Sequence, residues 1–156
     1  MKFEQLAAAP IRDVKRRDPI AVVETTTALE VVQTMTVNGT GSVLVTGANG
    51  QLAGIFTEND LAKRIDLSTS EWQSHPISRY MTAKIRTARC DSSIATALLT
   101  MTAGGFRHLP IIDGENTPFA IVSIRDVIAH IADCFPKEFL NLPSDPSHEA
   151  HKPWGG

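Results

Sequence analysis

Two short polar motifs have the residue types and spacing to do chemistry. Thr57 precedes Asp60 by three residues, and Ser123 precedes Asp126 in the same way, each pair following an apolar stretch and opening a helical pattern. In a structural interpretation the hydroxyl caps the helix and contributes on the order of 1 kcal/mol to stability. In a functional one, the carboxylate stands at the mouth of a cleft and accepts both hydrogen bonds of a vicinal diol, such as that of a ribose.

A cation and an imidazole precede the second motif. Arg107 and His108 lie 19 and 18 residues before Asp126. A strand, a hairpin turn and a second strand of that length bring the chain back beside its starting point, so these side chains can share a cleft. A guanidinium offers a planar fork to phosphate oxygens, and an imidazole can add a second donor. The alternatives are a solvated charge for Arg107 and a structural hydrogen bond for His108.

The elements that must position these residues occur twice. Adding 66 to the residue number carries Thr34, Met35 and Thr36 onto Thr100, Met101 and Thr102. Without a gap, the same offset relates Gly39 to Gly105, Ile55 to Ile121, Asp60 to Asp126 and Ile65 to Ile131. The chain is therefore two copies of one supersecondary unit.

Hydrophobic periodicity and turn residues give each copy the order β-α-β-β-α. In the first copy we predict strands at residues 20–23, 42–46 and 52–56, with helices at 28–38 and from 58. In the second copy we predict strands at residues 85–88, 109–112 and 119–122, with helices at 94–103 and 124–132. One unit would leave an apolar sheet face uncovered, so we expect an α/β (α+β) fold in which two units pack sheet to sheet about a pseudo-twofold axis.

Composition excludes several classes of function. The 156 residues carry a formal net charge of −2, which gives no general attraction to nucleic acid or anionic lipid. No apolar run approaches the roughly 20 residues that span a bilayer, so we expect a cytoplasmic protein without a membrane partner. Cys90 and Cys134 form neither a disulfide framework nor a CxxC pair, and the scattered histidines predict no metal site.

Both copies resemble the cystathionine-β-synthase (CBS) domain. The resemblance is carried in the second copy by residues 105–113 (GFRHLPIID) and 121–128 (IVSIRDVI), preceded by 80–82 (YMT) and 85–87 (IRT). The first copy matches more loosely through residues 18–20 (DPI) and 54–61 (GIFTENDL). We therefore divide the chain into an N-terminal segment at 1–10, repeats at 11–67 and 77–133, a linker at 68–76 and a Pro-rich arm at 134–156.

The resemblance implies a tandem CBS pair, or Bateman module, that regulates another protein. Such modules typically bind AMP, ADP, ATP or related adenosyl ligands between the repeats, and Mg²⁺ could accompany ATP. It implies no catalysis, and it predicts a homodimer that reports nucleotide concentration to an unidentified protein partner or through its own oligomer. Two alternatives remain open: a structural module with degenerate clefts, or a module for S-adenosylmethionine or a dinucleotide.

The resemblance also assigns candidate roles to residues. It assigns ribose binding to Asp126, Ser123, Asp60 and Thr57, and phosphate binding to Arg107 and His108. Candidate adenine-pocket residues are Ile85, Thr87, Ala88 and Pro110 in the second copy, and Pro19, Ala21 and Val22 in the first; ordinary core packing is the alternative. Gly41 and Ser42 replace Arg107 and His108 in the first copy, so phosphate contacts there would come from Lys15, Arg16 or Arg17, unless these form only a solvated basic run.

Overall fold

The computed structural model describes residues 1–16 and 18–136. In the first half, the helices and strands are α1 (Phe3–Ala8), β1 (Ala21–Val23), α2 (Ala28–Asn38), β2 (Ser42–Thr46), β3 (Leu52–Thr57) and α3 (Glu58–Arg64). In the second half they are β4 (Ala88–Arg89), α4 (Ile94–Gly104), β5 (His108–Ile112), β6 (Pro118–Ser123) and α5 (Ile124–Cys134). From β1 onward both halves follow the predicted order β-α-β-β-α.

Each half forms a three-stranded sheet of mixed direction. β1 pairs with β2 in parallel and β2 with β3 antiparallel, and β4, β5 and β6 repeat this order. The register shifts between Val45 and Thr46 in one sheet and between Ile111 and Ile112 in the other. These positions differ by the repeat offset of 66, so even the irregularity is duplicated.

The long helices begin and end as their sequences predict. Thr27 caps α2 and Ser93 caps α4, each accepting a hydrogen bond from a backbone N–H in the first turn. Gly39 and Gly105 follow these helices with φ values of 59° and 67°, the left-handed conformation that glycine adopts without strain.

One predicted strand is wrong in its extent. We predicted a strand at 85–88, whereas β4 contains only Ala88 and Arg89, which pair with Ile111 and Ile112. Ile85, the apolar residue that suggested an earlier start, lines a cleft between the repeats. Its apolar side chain therefore serves that cleft and not the sheet.

The segments that precede β1 and β4 pack into the opposite half of the molecule. Leu6, Ile11 and Val14, which precede β1, are buried in the core of the second half. Ile77 and Tyr80, which precede β4, are buried in the core of the first half. Backbone bonds fix both segments, from Ile11 N–H to Ser92 O at 2.7 Å and from Ile77 N–H to Thr26 O at 2.7 Å.

The sheets meet on the faces that point away from these cores. Val43 and Val45 lie in the helix-side core of the first unit, so Leu44 between them points to the opposite face, where it is fully buried. At the sheet ends the Leu52 N–H donates to Asn116 O at 2.9 Å, joining the two hairpins. This is the predicted sheet-to-sheet arrangement.

The remaining expectations concern the connections and the membrane. Trp72, in the linker, packs against the core of the first unit. The predicted arm lies largely outside the described residues, since these end at 136. No helix in the described part of the chain combines the length and the apolar character needed to cross a bilayer.

Candidate functional site

A cleft of about 890 Å³ lies between the repeats. This volume is within the range of about 300–1,000 Å³ that is usual for small-molecule sites. Three stretches line it: the β3–α3 turn, the segment that leads to β4, and the α4–β5 connection. The lining residues with polar or charged side chains are Thr57, Glu58, Asn59, Asp60, Thr82, Lys84, Arg86, Arg107 and His108.

Asp60 is the buried carboxylate of this cleft, with 7% of its surface exposed. Its Oδ2 accepts hydrogen bonds from the Thr57 backbone N–H and from Thr57 Oγ1, both at 3.0 Å. Its Oδ1 accepts a hydrogen bond from Thr82 Oγ1 at 3.1 Å and lies 3.3 Å from Arg64 Nε. Asp60 therefore caps α3 through one oxygen, while the other accepts a tertiary hydrogen bond from Thr82 and forms an i,i+4 ion pair with Arg64 within α3.

Asp126 caps α5 in the same way but makes fewer contacts. Its Oδ2 accepts hydrogen bonds from the backbone N–H and the Oγ of Ser123, both at 2.8 Å. Within the described residues, no side chain or backbone group donates to its Oδ1. Neither Asp126 nor Ser123 is among the residues that line the 890 Å³ cleft. The pair nevertheless lies beside Arg107 and His108, since Ser123 pairs with His108 across the β5–β6 ladder and the Ile124 N–H donates to Arg107 O at 3.0 Å.

The cleft carries several cations. Lys84, Arg86 and Arg107 line it and are solvent-exposed, and among the described residues none of them forms an ion pair. His108 is half-buried, and burial lowers its pKa below the ordinary value, with Arg107 adding to that effect while Asp126 and Glu58 oppose it. These groups form a positive region suited to an anionic ligand.

Glu58 adds a carboxylate to the same region. A Cβ at Gly41 would stand 3.3 Å from the Glu58 carboxylate carbon, so the side chain packs against the glycine backbone. Gly41 is the repeat counterpart of Arg107, and the absence of a side chain there leaves the Glu58 carboxylate room in the cleft.

Of the predicted adenine-pocket residues, only Ile85 and Pro110 line this cleft. Thr87 and Ala88 do not, and Ala88 is buried in the core of the second unit. Pro19, Ala21 and Val22 also lie elsewhere: Ala21 is exposed and Val22 packs against the core of the first unit. Ala21 and Val22 belong to β1 and Ala88 belongs to β4, and these short strands turn one face to the core.

The predicted cations of the first copy do not reach the cleft either. Lys15 is exposed, and neither it nor Arg16 is a lining residue. The Arg16 guanidinium donates to Arg12 O at 2.7 Å and lies 4.7 Å from the centre of the Phe119 ring. Backbone carbonyls and an aromatic face thus hold Arg16 at the surface. Arg17 lies outside the described residues.

The sequence did not single out Thr82, Lys84, Arg86 or Glu58 as site residues. The alternation of Lys84, Ile85 and Arg86 was a usable signal, since two cations on one side of an extended segment can face one ligand. Thr82 gave no such signal. Its counterpart at the repeat offset of 66 is Arg16, so the internal repeat hides its contact with Asp60.

Two homologous β-α-β-β-α units with a ligand-sized cleft between them define a tandem domain pair. The CBS domain profile matches the chain twice, at residues 11–67 and 77–133. The chain therefore belongs to the CBS-domain family. Members of this family are generally regulatory modules rather than enzymes.

Similar proteins share this arrangement. A 17.7 kDa protein from Acidianus ambivalens is 30% identical over 138 residues, which are 88% of this chain and 77% of that protein. A crystal structure of a CBS-domain protein from Agrobacterium tumefaciens is 30% identical, covers 78% of this chain and 98% of the other, and superposes with a TM-score of 0.69. In the plant CBS-domain protein CBSCBSPB5 from Arabidopsis thaliana, the matching region is 20% of the protein.

A further solved structure contains ligands. The CBS-domain pair of protein MJ0100 has a TM-score of 0.71 over 81% of this chain and 98% of the other, with 19% sequence identity. It was determined in complex with 5′-methylthioadenosine and S-adenosyl-L-methionine. At this identity the similarity shows a common fold.

Proposed function

We propose that the chain binds an adenine nucleotide, AMP, ADP or ATP, between its repeats and reports its concentration to a partner protein or through its own oligomer. The cleft carries the proposal, because it brings Thr57 and Asp60 of one repeat together with Arg107 and His108 of the other. A carboxylate suits a ribose diol, and the cations suit phosphate oxygens. The adenosyl compounds bound by MJ0100 support the ligand class.

The same proposal includes a second ribose group and an adenine wall. Ile85 and Pro110 supply apolar surface in the cleft. Ser123 and Asp126 would hold a second ligand at the symmetry-related position, where Asp126 Oδ1 receives no hydrogen bond from the described residues. Mg²⁺ would be held mainly by the phosphates of ATP, since the described residues include no group of three or more metal-ligating side chains.

The mechanism is thermodynamic linkage. A ligand that touches both repeats stabilises the arrangement it binds by RT ln(1 + [L]/Kd), about 2.7 kcal/mol at a hundredfold excess over Kd. A partner that distinguishes the occupied from the empty arrangement then responds to ligand concentration.

Thermal unfolding with a ligand panel tests the proposal. AMP, ADP or ATP at about a hundredfold excess over Kd should raise Tm by roughly 5–10 °C, and ATP should be tested with and without Mg²⁺. GTP serves as the control for the base. No shift with any adenosine compound would contradict nucleotide binding and favour a constitutive structural or interaction module.

S-adenosylmethionine is a second candidate because Glu58 places a carboxylate among the cations. The ammonium group of a methionyl moiety could pair with Glu58 while its carboxylate meets Arg107. Glu58→Gln should then weaken S-adenosylmethionine binding and leave ATP binding unchanged or tighter. A dinucleotide would instead need the cations as ATP does, and belongs in the same panel.

We also propose that the module is a homodimer. Leu99 on α4 and Ile128 on α5 are 70% and 52% exposed, and these helices contact each other. Exposed apolar side chains on neighbouring helices suit a twofold interface. Light scattering should show a dimer that the double variant Leu99→Glu, Ile128→Glu dissociates, while Leu67→Glu at the exposed end of the first repeat does not. A wild-type monomer would contradict the proposal.

A further inference from the structure

We propose that Thr82 and Arg64 set the ligand affinity of the Asp60 cleft by competing with the ligand for the Asp60 carboxylate. This inference rests on the proposed function and adds a regulatory contact to the same site. The relevant quantity is the number of hydrogen bonds that the Asp60 carboxylate can accept. A carboxylate offers about four acceptor positions, two on each oxygen.

At Asp60 three of these positions accept hydrogen bonds from the protein, and Arg64 forms an ion pair with the same carboxylate. Thr57 donates twice to Oδ2, Thr82 donates to Oδ1, and Arg64 Nε lies 3.3 Å from Oδ1. A ribose donates two hydrogen bonds from its vicinal hydroxyls, so it can use Asp60 only by replacing donors already present. The Thr57 contacts are part of the α3 cap, whereas the tertiary contact of Thr82 and the i,i+4 ion pair of Arg64 can be replaced without uncapping the helix.

Thr82 is held firmly in its competing position. Its backbone exchanges hydrogen bonds with Ile55 in both directions, at 3.0 Å and 2.8 Å. The hydroxyl can therefore leave Asp60 by rotation about χ1 while the backbone stays in place. Both Thr82 and Asp60 line the cleft, so the Thr82 hydroxyl occupies a position that a ligand hydroxyl would take.

Arg64 connects this competition to the other side of α3. Its NH1 group donates to Met81 O at 2.8 Å while its Nε faces Asp60. Arg64 also lines a second cavity of about 640 Å³, together with Trp72, Arg79 and Tyr80. When a ligand takes Oδ1, the guanidinium loses its partner beside this second cavity. Occupancy of the first cleft thus changes the surroundings of Trp72.

The symmetry-related carboxylate lacks both competitors. The counterparts of Arg64 and Thr82 are His130 and Arg16. His130 Nε2 lies 3.9 Å from Cys134 Sγ, and the Arg16 guanidinium donates to backbone carbonyls. Competition by the protein's own side chains is therefore a property of the first repeat alone. It raises the ligand concentration at which the Asp60 cleft is half occupied, compared with the same cleft without the Thr82 and Arg64 contacts.

Calorimetric titration of the full chain with AMP tests the competition. Thr82→Val removes the hydroxyl while keeping the shape, and should tighten AMP binding about three- to tenfold. Thr82→Ser retains the hydroxyl and should bind AMP as the wild type does. Thr69→Val is a matched control, because the Thr69 hydroxyl donates to Asp66 O and not to Asp60. With 2′-deoxy-AMP, which lacks the diol, Thr82→Val should give no gain.

Trp72 fluorescence tests the connection through Arg64. The chain has two tryptophans, so Trp154→Phe leaves Trp72 as the only reporter. AMP should change the Trp72 emission, and Arg64→Met should remove that change while binding persists. Arg79→Met, which lines the same cavity without touching Asp60, should keep the change.

The outcomes separate this inference from the proposed function. Wild-type protein that binds neither AMP nor ATP would refute both. Wild-type protein that binds AMP, with Thr82→Val binding equally or more weakly, would refute only the competition, provided that the variant's thermal unfolding shows it folded. Should that variant not fold, Arg64→Met decides: unchanged or weaker AMP binding together with a retained Trp72 response would refute the inference.

Discussion

The Asp60 and Asp126 regions are related by the internal repeat, yet they divide the requirements for ligand binding unequally. Asp60 shares a cleft with Arg107 and Lys84, but its carboxylate already accepts three hydrogen bonds from the protein and pairs with Arg64. Asp126 has an oxygen that receives no hydrogen bond from the described residues, but it does not line the cleft that holds these cations. The comparison teaches that repeat symmetry specifies a helix cap, while residues outside the repeat's own motif decide what the carboxylate can bind.

The largest expected effect comes from removing the positive charge of Arg107, whose counterpart in the first repeat is Gly41. Arg107→Ala should weaken ATP binding about ten- to hundredfold, because a charged hydrogen bond to phosphate is lost. Adenosine, which has no phosphate, should bind as before. Calorimetry measures both, with Lys63→Ala on the exposed side of α3 as the control. An equal loss for ATP and adenosine would mean that Arg107 supports the fold and not the phosphate.

The second prediction concerns Gly54, whose counterpart in the second repeat is Ala120. A Cβ at Gly54 would stand 2.7 Å from Thr82 O and 2.8 Å from Met81 Sδ, whereas the counterpart Ala120 is fully buried with its Cβ in place. Gly54→Ala should lower the free energy of unfolding by about 1–3 kcal/mol, since the Thr82 segment must move away.

Urea denaturation measures the Gly54 effect, and Ala120→Gly is the reciprocal change. That variant should cost about 1–2 kcal/mol, the sum of about 0.5–1 kcal/mol for backbone freedom and about 0.8 kcal/mol for the lost buried methyl group. If Gly54→Ala leaves the free energy of unfolding unchanged, the close approach of Thr82 to β3 does not require a glycine. The difference between Gly54 and Ala120 would then have no effect on stability.

The sequence predicted the features that the two repeats share, and it did not predict the contacts that only one repeat makes. The repeat offset, the Asn and Gly turn residues and the caps predicted nearly every helix and strand, because these signals are local. The contact between Thr82 and Asp60 spans 22 residues and joins the segment that leads to β4 with α3, so no periodicity contained it. The placement of Ile11 and Ile77 in each other's halves was equally invisible, because a buried isoleucine looks the same in either core.

A third prediction compares the two caps. Thr57→Ala and Ser123→Ala should each lower the free energy of unfolding by about 1 kcal/mol, since each hydroxyl accepts from a backbone N–H in the first turn. Denaturation curves of both variants measure the difference between the repeats. A cost confined to one variant would show that only that cap is structural.

The smallest expected effect is a pH dependence from His108. Burial lowers the pKa of His108 below its ordinary value of 6.5, so the unfolded chain binds the proton more readily than the folded one. The free energy of unfolding should therefore fall as the pH drops below 6.5, and His108→Gln should reduce this loss. The measurement is urea denaturation from pH 7.5 to 5; a variant with the same pH slope as the wild type would contradict it.

The central claim is that the cleft between the repeats holds an adenine nucleotide. A crystal structure of the protein grown with AMP tests it most directly. The ribose hydroxyls should donate to Asp60 Oδ1, the phosphate should lie beside Arg107, and the Thr82 hydroxyl should no longer contact Asp60. AMP bound elsewhere, or a cleft that stays empty at saturating AMP, would contradict the claim.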